Sequence, residues 1–465
     1  MSILILPGGN MFNDARRPIF GVSLIALAVL TACGGGGGSD GGKTDTGTPV
    51  QPPAPTFHVG GTISGMKSGG MVLANGSDTL TLPAAATTFT MPGALASGAS
   101  YDVRIAAQPP RFTQRCTATN GTGSIASASI TNIKVSCADH LALVSTLAGT
   151  NNPTRVPIGP PAVFYFPSGL TLDESGNVYV ADYLHSRIAK VTPAGAVSTF
   201  VGITPGQEPT DADRVLGSVE AITRDQQGNF YTLGSHTVRK ISKDGVITTL
   251  AGAPEAGFAD GAGSQARFNT PLGITVDASG NVYVADTLNL RIRKITPAGV
   301  VTTIAGNGVR GYLDGPALQA SFGDPWGIAV DKAGTVYFSD RQLGMIHKLT
   351  PEGVVSTIVG RLGTPVLTDG RGADVTLNQP SGLAIDKDNN LYVAETAGKI
   401  RIVTPAGWVG TVAGSYPSTA PYIPGVDGTG DVATFSEPRG VAVDAAGVVY
   451  IVDRSAARIR KVVEQ

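Results

Sequence analysis

Few side chains in this 465-residue sequence are of types that do covalent chemistry, and their spacing limits what they can do. Three of the five histidines fall within a repeating part of the chain, in three different registers. His185 sits where the cleanest copy has Asn289, His236 lies in a shortened loop, and His347 sits where that copy has Arg293. A metal-binding ring built from repeats needs equivalent positions, so these histidines read as surface or strand-edge residues. His58 and His140 lie outside the full repeats. The sequence has no nucleophile elbow, phosphate loop, Cys-x-x-Cys or His-Glu-x-x-His. Four Asp-Gly pairs recur, at Asp260, Asp314, Asp369 and Asp427. Their oxygens suit a hard cation, but they lack the dense acidic spacing of a calcium loop. They read instead as turns that seat the next apolar residue, Phe268, Phe322, Leu377 or Phe435. A second recurring acid pairs by spacing with a base: Asp182 with Arg187, Asp286 with Arg291, Glu395 with Lys399, Asp453 with Arg458. We read these pairs as loop braces. The second copy has Gly234 and is expected to lack both partners.

The elements that position these residues come from the repeat. A block of the form Phe-x-x-Pro-x-Gly-Ile-x-Val-Asp-x-x-Gly-Asn-Val-Tyr-Val-Ala-Asp recurs six times after Phe166, at intervals of about 52 to 58 residues. In the copy from Phe268 to Gly306, four β-branched segments, at 273–277, 281–286, 291–295 and 300–306, are separated by turn signals. Gly280 and Gly299 stand where tight turns require positive φ. The last copy stops after three strands, and Val144 to Gly149 matches the missing fourth. The N-terminal segment is therefore expected to complete the last blade and close the ring, leaving no free edge. The fold class is all-β: a six-bladed β-propeller over 141–465, preceded by a small β-sandwich over 56–139 that the ring is expected to tolerate losing.

These blocks resemble NHL repeats, which form six-bladed propellers. The resemblance covers Leu143 to Val463. It implies a fold used for protein binding, extracellular sensing, RNA binding, or metal-dependent lyase and lactonase chemistry, and it does not choose among them.

In a four-stranded blade the two tight turns share one face, and the longer loops share the other. Binding residues concentrate on such loops. On that face the residue before each first-strand glycine should ring the channel mouth: Ser168, Glu220, Leu272, Trp326, Ser381 and Arg439. Glu220, Trp326 and Arg439 come from alternate blades. Together they would offer an aromatic platform with one donor and one acceptor.

The N-terminus bears on location. Arg16-Arg17 precedes an apolar run from Ile19 to Leu30 and then Leu30-Thr31-Ala32-Cys33. Residues 1–32 thus resemble a bacterial lipoprotein signal peptide. The resemblance implies that Cys33 carries the lipid and, since Gly34 follows it, that the outer membrane is the destination. Residues 33–55 are Gly-, Ser-, Thr- and Pro-rich and read as a flexible tether. In an exported chain Cys116 and Cys137 are expected to pair, which would contribute on the order of 3 kcal/mol. Without the leader the chain carries about two net negative charges and no Lys or Arg run, which argues against a nucleic-acid partner. The sequence thus points to an envelope lipoprotein whose propeller holds a protein, peptide or glycan, with no catalytic residues and no cofactor. The alternative is a lactonase-like or lyase-like enzyme with calcium or zinc in the channel.

Overall fold

A computed structural model describes residues 54–149, 164–204, 216–362, 368–415 and 425–465. Residues 1–53, on which the expected signal peptide, Cys33 and all but the last two residues of the expected tether fall, lie outside them. Ala54–Gln465 forms one compact unit.

In blade three the strands Gly273–Val276, Val282–Asp286, Arg291–Ile295 and Val300–Ala305 pair antiparallel in sequence order. The turn between the first two is built by one carboxylate. Asp277 accepts hydrogen bonds from the backbone N–H groups of Ser279 and Asn281 at 2.9 Å, from the Asn281 side chain at 2.9 Å and from the Tyr283 hydroxyl at 3.1 Å. Gly280 takes φ 79° to let the chain double back. Asp173, Asp225, Asp331, Asp386 and Asp444 hold the corresponding turns, each bonded by the tyrosine six residues on. The tyrosine in every repeat is thus explained: its ring packs in the sheet and its hydroxyl closes the turn.

Blades three to six have one strand more than the repeat suggests. The residues after each Asp-Gly aspartate, such as Gly261–Ala262, form a two-residue outer strand on the fourth strand of the blade they lead into. The apolar residue that follows is seated as the sequence implies, with Phe268 and Phe322 at 0% exposure. Burial of such a ring stabilises by roughly 1.5–3 kcal/mol. Ring closure also follows the sequence. Ala142–Gly149 pairs antiparallel with Arg458–Glu464, so the last blade draws strands from both ends of the propeller.

The first strands line the channel, and their glycine is a close-approach residue. A Cβ on Gly273 would meet the Trp326 carbonyl oxygen, and one on Gly327 would meet that of Ser381. Adjacent inner strands can therefore converge on the axis.

Ahead of the propeller, two four-stranded sheets enclose Met71, Leu73, Met91 and Ile133, all fully or almost fully buried. The Cys116–Cys137 disulfide links neighbouring strands of one sheet. This sandwich is not an independent bead, and the expectation that the ring tolerates its loss needs correcting. Phe112, 3% exposed, enters the core of blades five and six and meets Tyr392 edge-on at 6.3 Å. Beside it, Arg111 donates to Glu464 at 2.6 Å and to the Gly447 carbonyl at 3.0 Å. Trp408 of blade five packs on Gly69 and Gly70, where any side chain would collide with its ring.

Candidate functional site

Two groups of charged side chains need separate accounts. The first is the brace at the end of strand two, and its base is not the one that spacing suggests. Asp286 bonds Arg293, two residues beyond Arg291, at 2.6 Å, and both side chains are 0% exposed. Arg293 also donates to Asp260 of the Asp-Gly turn at 2.7 Å. Asp260 in turn accepts from the Thr303 backbone N–H at 3.0 Å and its hydroxyl at 3.1 Å. One latch thus ties the incoming connection, strand two, strand three and strand four. Blade five repeats it with Glu395, Arg401 and Asp369, and blade six with Asp453, Arg460 and Asp427. Arg291 and Arg293, two residues apart, share one face of strand three, and Arg291 stands directly opposite Asp286 in register, but its guanidinium turns to the carbonyls of Asn289 and Asn307 and to the Phe258 ring.

The remaining blades vary the latch. Asp182 pairs with Arg187 as expected, at 2.7 Å, and also with His185 at 2.8 Å. Blade two loses its acid at Gly234 but keeps a base, Arg239, which pairs with no carboxylate among the described residues and whose pKa burial depresses. In blade four His347 takes the arginine's place, 3.8 Å from both Asp340 and Asp314. It is 1% exposed, so it is a core residue and not the strand-edge or surface residue expected. Burial alone would lower its pKa, but the two carboxylates win and raise it. Burial also pushes Asp286 and Asp453 above the usual carboxylate range, against the pull of Arg293 and Arg460.

The second group lies at the channel mouth. Ser168, Glu220, Leu272, Trp326 and Arg439 line one cavity of about 80 Å³. Leu170, Ile222, Ile274, Ile328, Leu383 and Val441 form an aliphatic collar shared with a second channel cavity of about 270 Å³. Two of the six expected rim residues are structural. Ser381 is fully buried, its hydroxyl within 3.0–3.3 Å of the carbonyls of Ala394, Pro438 and Arg439. Ser168 is 6% exposed and donates to the Val219 carbonyl at 3.2 Å, tying blade one to blade two.

Nor is Trp326 an open platform. The guanidinium carbons of Arg341 and Arg439 lie 4.7 and 5.4 Å from its ring centre. Arg454 lies 5.4 Å from Phe166 and 5.5 Å from Tyr183. Burial raises the Glu220 pKa, opposed by the charges of Arg454 and Arg439. The pKa values of Arg341 and Arg454 are lowered by burial and then by repulsion from Arg439. Arg439 itself donates to Glu437 at 2.9 Å. Sequence reasoning missed Arg341, Arg454 and Tyr183, which each follow the recurring strand-two acid. The other blades have Thr287, Thr396 or the non-matching Ser235 there, so the signal available was departure from the repeat directly after a repeated residue.

Glu220 is the one carboxylate among the residues lining the two channel cavities, and the described residues hold no cluster of three or more His, Cys, Asp or Glu side chains placed to share a metal.

Comparison with known proteins agrees with this architecture. The NHL repeat family matches residues 164–191 and 268–295. Teneurin-4 of Mus musculus is 28% identical over 282 residues, 54% of this chain and 10% of that protein. NHL repeat-containing protein 2 of Bos taurus is 29% identical over 47% of this chain and 34% of that protein. The chain thus spans about a tenth to a third of the length of these relatives. Among solved structures, an auxiliary nutrient binding protein from Bacteroides ovatus superposes with TM-score 0.52 at 14% identity, over 90% of this chain and all of that one. A Bacteroides thetaiotaomicron protein of unknown function gives TM-score 0.53 at 19% identity over 89% of this chain. That coverage exceeds the propeller residues alone, so the likeness in fold extends to the sandwich.

Proposed function

We propose that this NHL-repeat propeller is a binding module whose ligand, a protein, peptide or glycan, is held at the channel mouth by Glu220, Trp326 and Arg439 with Arg341 and Arg454. The observation that carries this reading is local. The blades repeat closely at turns and collar, three of them share one latch, and at this opening they depart from one another in charged and aromatic side chains that make no such repeated contact. Scaffold residues satisfy the same steric demand in every blade, whereas a ligand imposes different demands on each. The likeness in fold to a nutrient binding protein is compatible with a binding role. Lipidation at Cys33 would hold the module at a bacterial envelope, in the outer membrane. Binding to glycan and peptide arrays tests the site. Retention should fall at least tenfold for the Glu220→Ala, Trp326→Ala, Arg439→Ala triple variant, and undiminished binding would move the site elsewhere. Acyl labelling that survives Cys33→Ser would refute the anchor.

A further inference from the structure

The mouth arginines differ from the other buried arginines in one respect that bears on ligand chemistry. Arg293, Arg401 and Arg460 have Nε atoms without acceptors, yet each guanidinium is neutralised by two carboxylates. Arg341 and Arg454 also carry buried N–H groups without acceptors, at Nε and Nη1 respectively. Among the described residues neither has a carboxylate within ion-pair distance. Arg341 bonds only the Gln379 side-chain oxygen, at 3.1 Å. Glu220 faces Arg439 and Arg454 electrostatically without forming a salt bridge to either, Glu437 is bonded to Arg439 and attracts Arg341 and Arg454 from farther off, and Asp324 attracts Arg341. Packing against Trp326, Phe166 and Tyr183 holds the guanidinium groups in place.

Resting on the mouth as the binding site, we propose that it receives an oxyanion of the ligand, a carboxylate or phosphate group, between Arg341, Arg439 and Arg454. A planar guanidinium fork matches such a group through paired N–H donors. The anion would neutralise cations that now repel one another, and the aliphatic collar below would stop it from passing down the channel. Glu220, on the same rim, would repel a second anionic group and accept from a neighbouring hydroxyl.

The test is calorimetric titration of the full chain in detergent with inorganic phosphate, trigalacturonate and, as a neutral control, maltotriose. At least one anion should bind, and maltotriose should bind at least tenfold more weakly. Arg341→Gln and Arg454→Gln should each weaken anion binding at least tenfold without moving the thermal midpoint. Which probe binds distinguishes phosphate from carboxylate. Absence of binding by both anions, binding of maltotriose as tight as trigalacturonate, or variants that bind like the parent would overturn the inference. A neutral ligand whose retention still depends on Trp326 and Glu220 would overturn the oxyanion while leaving the mouth as the site. Retention indifferent to every mouth variant would remove the site itself.

Discussion

The latches and the mouth use the same residue type for opposite ends. In the latches of blades three, five and six, an arginine is fully enclosed and held between two acids, one on strand two and one on the incoming connection. At the mouth, arginines stack on aromatic rings, and among the described residues only Arg439 of the three forms an ion pair, with Glu437, while Arg341 and Arg454 feel carboxylates only at longer range. Repetition with neutralisation marks scaffold; departure from the repeat with residual charge marks the place where something else must supply the partner. An unpaired N–H alone does not separate the two, because it occurs in both.

The comparison is broken most forcefully by removing a latch acid. Asp453→Ala leaves Arg460 buried with Asp427 alone, in the blade that joins the propeller's two ends. Loss of one partner of a buried pair should cost about 3–5 kcal/mol, read from the denaturant midpoint. A loss below about 1 kcal/mol would mean that the latch is incidental. The sandwich contact follows in size. Phe112→Ala should destabilise by roughly 3 kcal/mol through the cavity left beside Tyr392. An unchanged midpoint would restore the sandwich to the status of a separate bead.

Blade four supplies a finer test, because its latch titrates. His347 has a raised pKa, so its contribution should be complete below the ordinary histidine value and decline as pH rises through the folded one. Protonated His347 offsets Asp314 and Asp340; once neutral, it leaves the two carboxylates with no cation between them. Wild-type stability relative to His347→Gln should therefore be larger at pH 5.5 than at pH 8.5. Equal differences at the two pH values would show that the imidazole is not the neutralising group.

How much of this the sequence discloses depends on whether a residue answers to the repeat. Blade number, turn glycines, ring closure and the seated Phe268 all answer to steric demands that recur, so their spacing exposes them. The latch partner is not legible from spacing because Arg291 and Arg293 share a face of strand three, and what separates them is tertiary: Arg293 is held by Asp286 and by Asp260 of the incoming connection, whereas Arg291 bonds loop carbonyls. Blade two illustrates the same error, since the expected loss of both partners overlooked Arg239. Ser381 was placed on the rim by register, but its hydroxyl is drawn into the contact between blades five and six. Arg341 and Arg454 show in the sequence only as departures from the repeat directly after its strand-two acid; that they come together at the mouth depends on which blades face each other, and one repeat read along the chain does not contain that.

The smallest expected effect on the fold is also the most direct test of the account. The Glu220→Ala, Trp326→Ala, Arg439→Ala triple variant should keep its thermal midpoint within the range of ordinary surface changes, about 0.5 kcal/mol per site, while losing ligand retention. Differential scanning calorimetry of this variant beside Asp453→Ala decides the matter. The account predicts a near-parental melt for the mouth variant and a large downward shift for the latch variant. A mouth variant that melts as early as the latch variant would show the opening to be scaffold, and would contradict the division on which the functional reading stands.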